Sequence, residues 1–169
     1  MNTRMIEVEN LSFSYGRRKS KVLEDFSMKL DKGSVYGLLG KNGTGKSTLL
    51  YLMAGLLRPQ TGNVLYKGVD VKKRYPDTLQ DIFLVPEEFA LPNVSLKQYV
   101  KLNAPFYPNF SDELLNVCLR DFDMNVDIHL GELSMGQKKK AFMCFALATN
   151  TSLLMMDEPT NGLDIPSKS

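Results

Sequence analysis

Eight residues, Gly40-Lys41-Asn42-Gly43-Thr44-Gly45-Lys46-Ser47, have the types and spacing of a loop built to hold phosphate. Glycine lets backbone N–H groups approach a polyanion with no Cβ in the way, and it lets the chain take φ > 0. A helix that starts where the loop ends adds unpaired N–H groups and a partial positive charge. Lys46 would reach the outer phosphates of a triphosphate, and Ser47 would hold Mg²⁺. The flanks agree: Val35-Tyr36-Gly37-Leu38-Leu39 predicts a strand before the loop, and residues 47–54 predict a helix after it. A glycine turn with no ligand is the plain alternative, and this flanking pattern makes it less favourable.

Two more segments could do chemistry. Leu153-Leu154-Met155-Met156 is an apolar strand that ends in Asp157 and Glu158. An aspartate at a strand end beside a phosphate loop would be a second Mg²⁺ anchor. Glu158, pointing the other way along the pleat, would polarise a water for attack. Two solvated carboxylates at a strand end are the simpler reading of this segment alone. Leu133-Ser134-Met135-Gly136-Gln137 precedes a helix predicted over 138–149. Ser134 is a good N-cap, and Gly136 permits close backbone approach, so this is a second helix start suited to phosphate. One chain has little use for two such sites on one nucleotide, whereas a head-to-tail pair of chains does. A merely capped helix with a basic first turn (Lys138-Lys139-Lys140) is the alternative. Positive charge at that end opposes the helix dipole.

The elements that must position these groups follow from pattern. Residues 5–11 alternate apolar and polar, as a half-exposed strand does, and 22–30 would pair with them. Residues 63–66 predict a short strand. Residues 82–85 form a continuous apolar run, the mark of a strand buried on both faces, ended by Pro86. Helical character runs from 87 to 149, with Ser95 and Ser111 as N-caps. A length of 169 residues fits one domain with a subdomain. Net charge of +2 gives no argument for nucleic acid, and the basic cluster at 17–21 reads as a solvated hairpin tip. Cys118 and Cys144 belong to no paired spacing and read as free thiols. The start of the chain has no apolar h-region, and no stretch approaches 18 apolar residues, so any membrane span is expected from a partner.

Taken together and in order, these residues resemble the nucleotide-binding subunit of ATP-binding-cassette (ABC) transporters. Tyr15 resembles the aromatic that stacks on adenine. Gly40, Asn42, Gly43, Thr44, Gly45, Lys46, Ser47 and Thr48 resemble the Walker A loop. Ser134, Gly136 and Gln137 fall in the family signature, with Met135 where glycine is usual. Asp157 and Glu158 resemble Walker B with its catalytic glutamate, and Asn161-Gly162-Leu163-Asp164 resembles the loop that contacts the second subunit. Glu87 stands where the family usually has glutamine next to Mg²⁺; a carboxylate can bind metal but cannot donate as an amide does.

The resemblance implies an α/β fold: a P-loop NTPase core with a parallel central sheet, an N-terminal antiparallel β subdomain and a helical subdomain at about 87–150. It implies ATP and Mg²⁺ as ligands. Lys46 and Glu158 would act in catalysis, and Ser47, Asp157 and Glu87 would hold the metal. Expected partners are a second copy or a paralogous ATPase subunit on ATP binding, and a transmembrane permease, with the chain in the cytoplasm on the inner face of the membrane. The sole histidine, His129, lies upstream of the signature and reads as a surface or hinge residue, so the family's switch histidine is expected in a segment this chain lacks. The alternatives are a soluble ABC ATPase outside transport, or a nucleotide-binding regulatory module with little turnover.

Overall fold

A computed structural model describes residues 4–16 and 20–163, which fall into two compact units divided at Ile82/Phe83. The first unit is a four-stranded antiparallel sheet in the order β2-β1-β3-β4, built from β1 (Arg4–Phe13), β2 (Leu23–Asp31), β3 (Thr61–Tyr66) and β4 (Val69–Asp70). The alternation in β1 has the expected effect: Ile6, Val8, Leu11 and Phe13 are buried. Ile6 sits opposite Leu30 on β2 and Tyr66 on β3, and Val8 sits opposite Met28 and Val64. The register shifts between Val8 and Leu11, where Asn10 takes φ 47° and its side chain donates to Asp25 Oδ1 at 2.8 Å. Such a bulge bends the strand. Gly62 crosses it at φ 82°, and a Cβ there would collide with the carbonyls of Glu9 and Asn10.

Helix α1 (Lys46–Met53) follows the glycine loop and buries Thr48, Leu49, Leu52 and Met53, an i, i+1, i+4, i+5 stripe. Residues 34–41 carry no regular structure, which corrects the strand predicted at 35–39. Val35 and Leu39 are almost wholly exposed. An apolar run becomes a strand only where a neighbour offers a ladder, and the sheet of this unit is completed by other segments. A short α2 (Pro76–Leu79) completes the unit's helices, with Pro76 as its first residue.

The second unit begins within β5 (Ile82–Val85), which is hydrogen-bonded to β6 (Leu153–Met156) as a two-stranded sheet, and among the described residues it holds three α-helices. These are α3 (Leu96–Asn103), α4 (Asp112–Asp121) and α5 (Met135–Ala148). Each begins at the expected serine. Ser95 accepts from Gln98 N, Ser111 from Leu114 N, and Ser134 from Gln137 N. Leu96, Leu115, Leu119, Leu130, Ala141, Cys144 and Ala148 form one core cluster. Phe83, Val85, Phe145 and Ala146 form a second, ringed by edge-to-face aromatics such as Phe83 with Tyr107 at 5.4 Å. His129 is half-buried and bridges to Ser95, so it is a tie within the unit rather than a surface residue.

Candidate functional site

The phosphate loop lies in the first unit. Gly43 and Gly45 take φ 82° and 94°, conformations that a side chain would strain. Gly45 is the N-cap of α1, and a Cβ on it would stand 2.9 Å from Val22 Cγ1 and 3.2 Å from the Val22 carbonyl. A Cβ on Gly40 would stand 2.8 Å from Thr44 Oγ1. Thr44 donates its hydroxyl to the Lys41 carbonyl at 2.7 Å, and the Lys46 ammonium reaches back to the Gly40 carbonyl at 2.5 Å. The loop is thus folded around its own lysine. Asn42 and Gly43 form its exposed turn, and Lys46 and Ser47 are half-buried in the first turn of α1. Tyr15 is 55% exposed; its hydroxyl pairs with Thr48 Oγ1 at 2.8 Å and its ring stands edge-on to Phe13 at 5.0 Å. An exposed ring held at one end is suited to stacking.

The carboxylates and the signature segment lie in the second unit. Asp157 follows β6, and its N–H donates to the Val85 carbonyl at 2.9 Å, which fixes it to the end of β5. It is buried, and its Oδ2 has no hydrogen-bond partner among the described residues. An orphaned carboxylate oxygen is costly unless something meets it. A hard cation would do so, and Mg²⁺ takes one or two protein oxygens beside phosphate and water, so the donor set fits.

Glu158 departs from expectation. The strand stops at Met156, and Glu158 turns out of the pleat at φ 45°. It is therefore a left-handed turn, not strand alternation, that parts the two carboxylates. The turn is anchored by Lys139, whose buried ammonium donates to the Glu158 carbonyl at 2.6 Å and the Asn161 carbonyl at 2.8 Å. Asn161 Nδ2 in turn donates to Glu87 Oε1 at 2.8 Å. Sequence reading took Lys139 for part of a basic first turn and missed this role. One signal existed: Lys139 precedes the buried Ala146 by seven residues and so shares its face.

Helix α5 begins at Met135, three residues before the predicted start, so the signature residues form its first turn. Ser134 and Gln137 close a capping box, with Ser134 N donating to Gln137 Oε1 at 3.0 Å. Gly136 lies against the next loop: a Cβ there would be 2.9 Å from the Gly162 carbonyl. Met135 is 63% exposed. With α5 starting at Met135, Lys139 and Lys140 fall in its second turn, and both are engaged. Lys139 serves carbonyls, and Lys140 lies over the Phe122 ring at 5.6 Å. Residues 17–19 of the basic cluster at 17–21, and Asp164, lie outside the described residues, while Lys21 pairs with Glu24 at 2.6 Å.

A family model described as ABC transporter matches residues 23–161. The chain belongs to the ABC transporter family. It is 33% identical over 161 residues to the ABC transporter ATP-binding protein YtrB of Bacillus subtilis, covering 95% of this chain and 54% of that protein. It is 32% identical to the lantibiotic transport ATP-binding protein SrtF of Streptococcus pyogenes, covering 95% and 69%. A solved ATP-binding subunit of an ABC transporter superposes with a TM-score of 0.81 at 28% identity, over 95% of this chain and 68% of that one. The chain thus spans about half to two thirds of the length of these ABC relatives.

Proposed function

We propose that this chain is the nucleotide-binding part of an ABC transporter, binding Mg·ATP and hydrolysing it to drive a separate permease. The observation that carries the reading is the pairing of two glycine-permissive helix starts: the loop closed by Lys46 and the capped first turn of α5. Each is suited to phosphate. They fit a head-to-tail pair of chains, in which Ser134, Gly136 and Gln137 of one chain meet the nucleotide held by Gly40, Asn42, Gly43, Thr44, Gly45, Lys46, Ser47 and Thr48 of the other. The exposed Met135 then lies on the surface the second copy covers.

Tyr15 would stack on the base. Ser47, Asp157 and Glu87 would hold Mg²⁺. When bound, the ion neutralises charge building on the β- and γ-phosphates. Glu158 takes a proton from water; the water oxygen bonds to the γ-phosphorus, the bridging P–O bond breaks, and ADP leaves with the electron pair. In this reading β5 and β6 belong to a parallel central sheet and residues 87–150 to a helical subdomain facing the permease. The chain works from the cytoplasmic face of the membrane. The names of YtrB and SrtF, an ABC transporter and a lantibiotic transport protein, support a role in transport.

A second reading, a nucleotide-binding module with little turnover, is favoured by Glu87. Its carboxylate is engaged by Asn161, where the family usually offers an amide. Glu158→Gln in the full-length protein separates the two. An ATPase loses turnover, by about 10²-fold or more for a general base, and accumulates as an ATP-bound dimer on size exclusion. A silent module shows neither change. Lys46→Ala abolishes ATP binding by calorimetry in both cases; unchanged binding would remove the loop from either account.

A further inference from the structure

Lys139 is a buried cation whose hydrogen bonds go to the main chain of a loop, not to a carboxylate side chain. Its Nζ lies 2.6 Å from the Glu158 carbonyl and 2.8 Å from the Asn161 carbonyl. Glu158 itself holds φ 45°, a conformation that costs a non-glycine residue free energy and persists only where surroundings enforce it. The same loop touches the start of α5 through the close approach of Gly136 to the Gly162 carbonyl. It also touches residue 87, through the Asn161 amide. One ammonium therefore fastens the carboxylate-bearing turn to the helix whose first turn carries Ser134 and Gln137.

We propose that Lys139 is a positioning residue for hydrolysis: clamping the carbonyls of Glu158 and Asn161, it imposes the left-handed turn that aims the Glu158 carboxylate. This rests on the reading of Glu158 as the base. Lys139 itself is buried and acts through the main chain. A methionine at 139 fills the same space without donating, so the turn relaxes while the phosphate loop is untouched. The expected signature is a loss in kcat with KM preserved, because only the aim of the base changes.

The test is steady-state ATPase kinetics on the full-length protein, comparing wild type, K139M, K139Q, K139R and E158Q, with MgATP affinity measured by calorimetry. K139M is expected to lower kcat by about 10- to 100-fold, the scale of an ångström-level misplacement, with KM and ATP affinity unchanged. K139R, which can donate to both carbonyls, is expected to recover most of the rate. If K139M does not fold, K139Q carries the test, since its amide can serve one carbonyl: a partial loss of kcat at constant KM supports the proposal. Wild-type kcat in either neutral variant would overturn it. A loss of ATP affinity parallel to the loss of rate would also overturn it, pointing to a general structural role. Turnover absent from wild type would instead sink the ATPase reading itself, and this inference with it. A wild type that turns over and an E158Q that does not isolate any failure to Lys139.

Discussion

Gly45 is held by two constraints at once, a backbone at φ 94° and the Val22 side chain and carbonyl pressed where a Cβ would be. Gly45→Ala is expected to destabilise the fold by roughly 1–3 kcal/mol, the scale of a strained residue, as read from urea denaturation. It should also weaken nucleotide binding, because the N-cap of α1 would have to shift. Gly43, equally left-handed at φ 82° but with open space around it, should lose less stability on the same change. That comparison separates conformational strain from collision. The glycines and the lysine of this loop were legible in the sequence because a short spacing carries the whole requirement. Lys139 was not, since its partners lie 19 and 22 residues away and are backbone atoms with no residue type to recognise. Asn161 and Glu87 meet through their side chains, but at 74 residues apart no local spacing joins them. Of the site, then, the local chemistry could be read, and the ties that set its posture could not.

Helix starts were legible because a cap is a contract among four neighbouring residues. Ser95, Ser111 and Ser134 each accept from the N–H three residues on. Ser111→Ala is expected to cost about 1 kcal/mol, measured as a lower denaturation midpoint, because Asp112 and Glu113 still favour the first turn of α4 electrostatically. Strand β1 was legible from its alternation and β5 from its unbroken apolar run. The run at 35–39 has the apolar character of a buried strand yet carries no regular structure and lies exposed. Whether such a segment joins a sheet is decided by neighbours distant in sequence, and no local pattern reports them. The bulge at Asn10 was also invisible, as it depends on Ser27 Oγ meeting the Asn10 N–H at 2.9 Å across the ladder. In the helical unit, Leu119→Ala should cost 2–5 kcal/mol, roughly the range for a fully buried leucine. The side chain is 1% exposed and sits in the core cluster with Leu115 and Cys144.

At the scale of the whole chain, the two units carry different parts of the proposed chemistry: the phosphate loop in one, the carboxylates and signature turn in the other. Two thiols of the second unit, the half-buried Cys118 and the buried Cys144, give the molecule a pH response. Burial pushes both Cys118 and Cys144 up from the usual thiol range. The folded state therefore favours the protonated thiols, and the stability they contribute is complete below about pH 8.5, the unfolded value. Above it the unfolded chain releases its protons first, so stability falls as pH rises towards the folded values. Urea midpoints should drop between pH 8 and 10, and Cys144→Ala should flatten that slope; an unchanged slope would assign it to other groups, such as Tyr99 and Tyr107, which burial also raises. The clamp at Lys139 has a consequence of another kind. Because its ammonium grips main-chain oxygens, it is blind to which side chain stands at 158 or 161. Position 158 is held by its proposed chemistry, but a substitution at 161 demands no matching change at 139, so the link leaves no correlated pair to mark it.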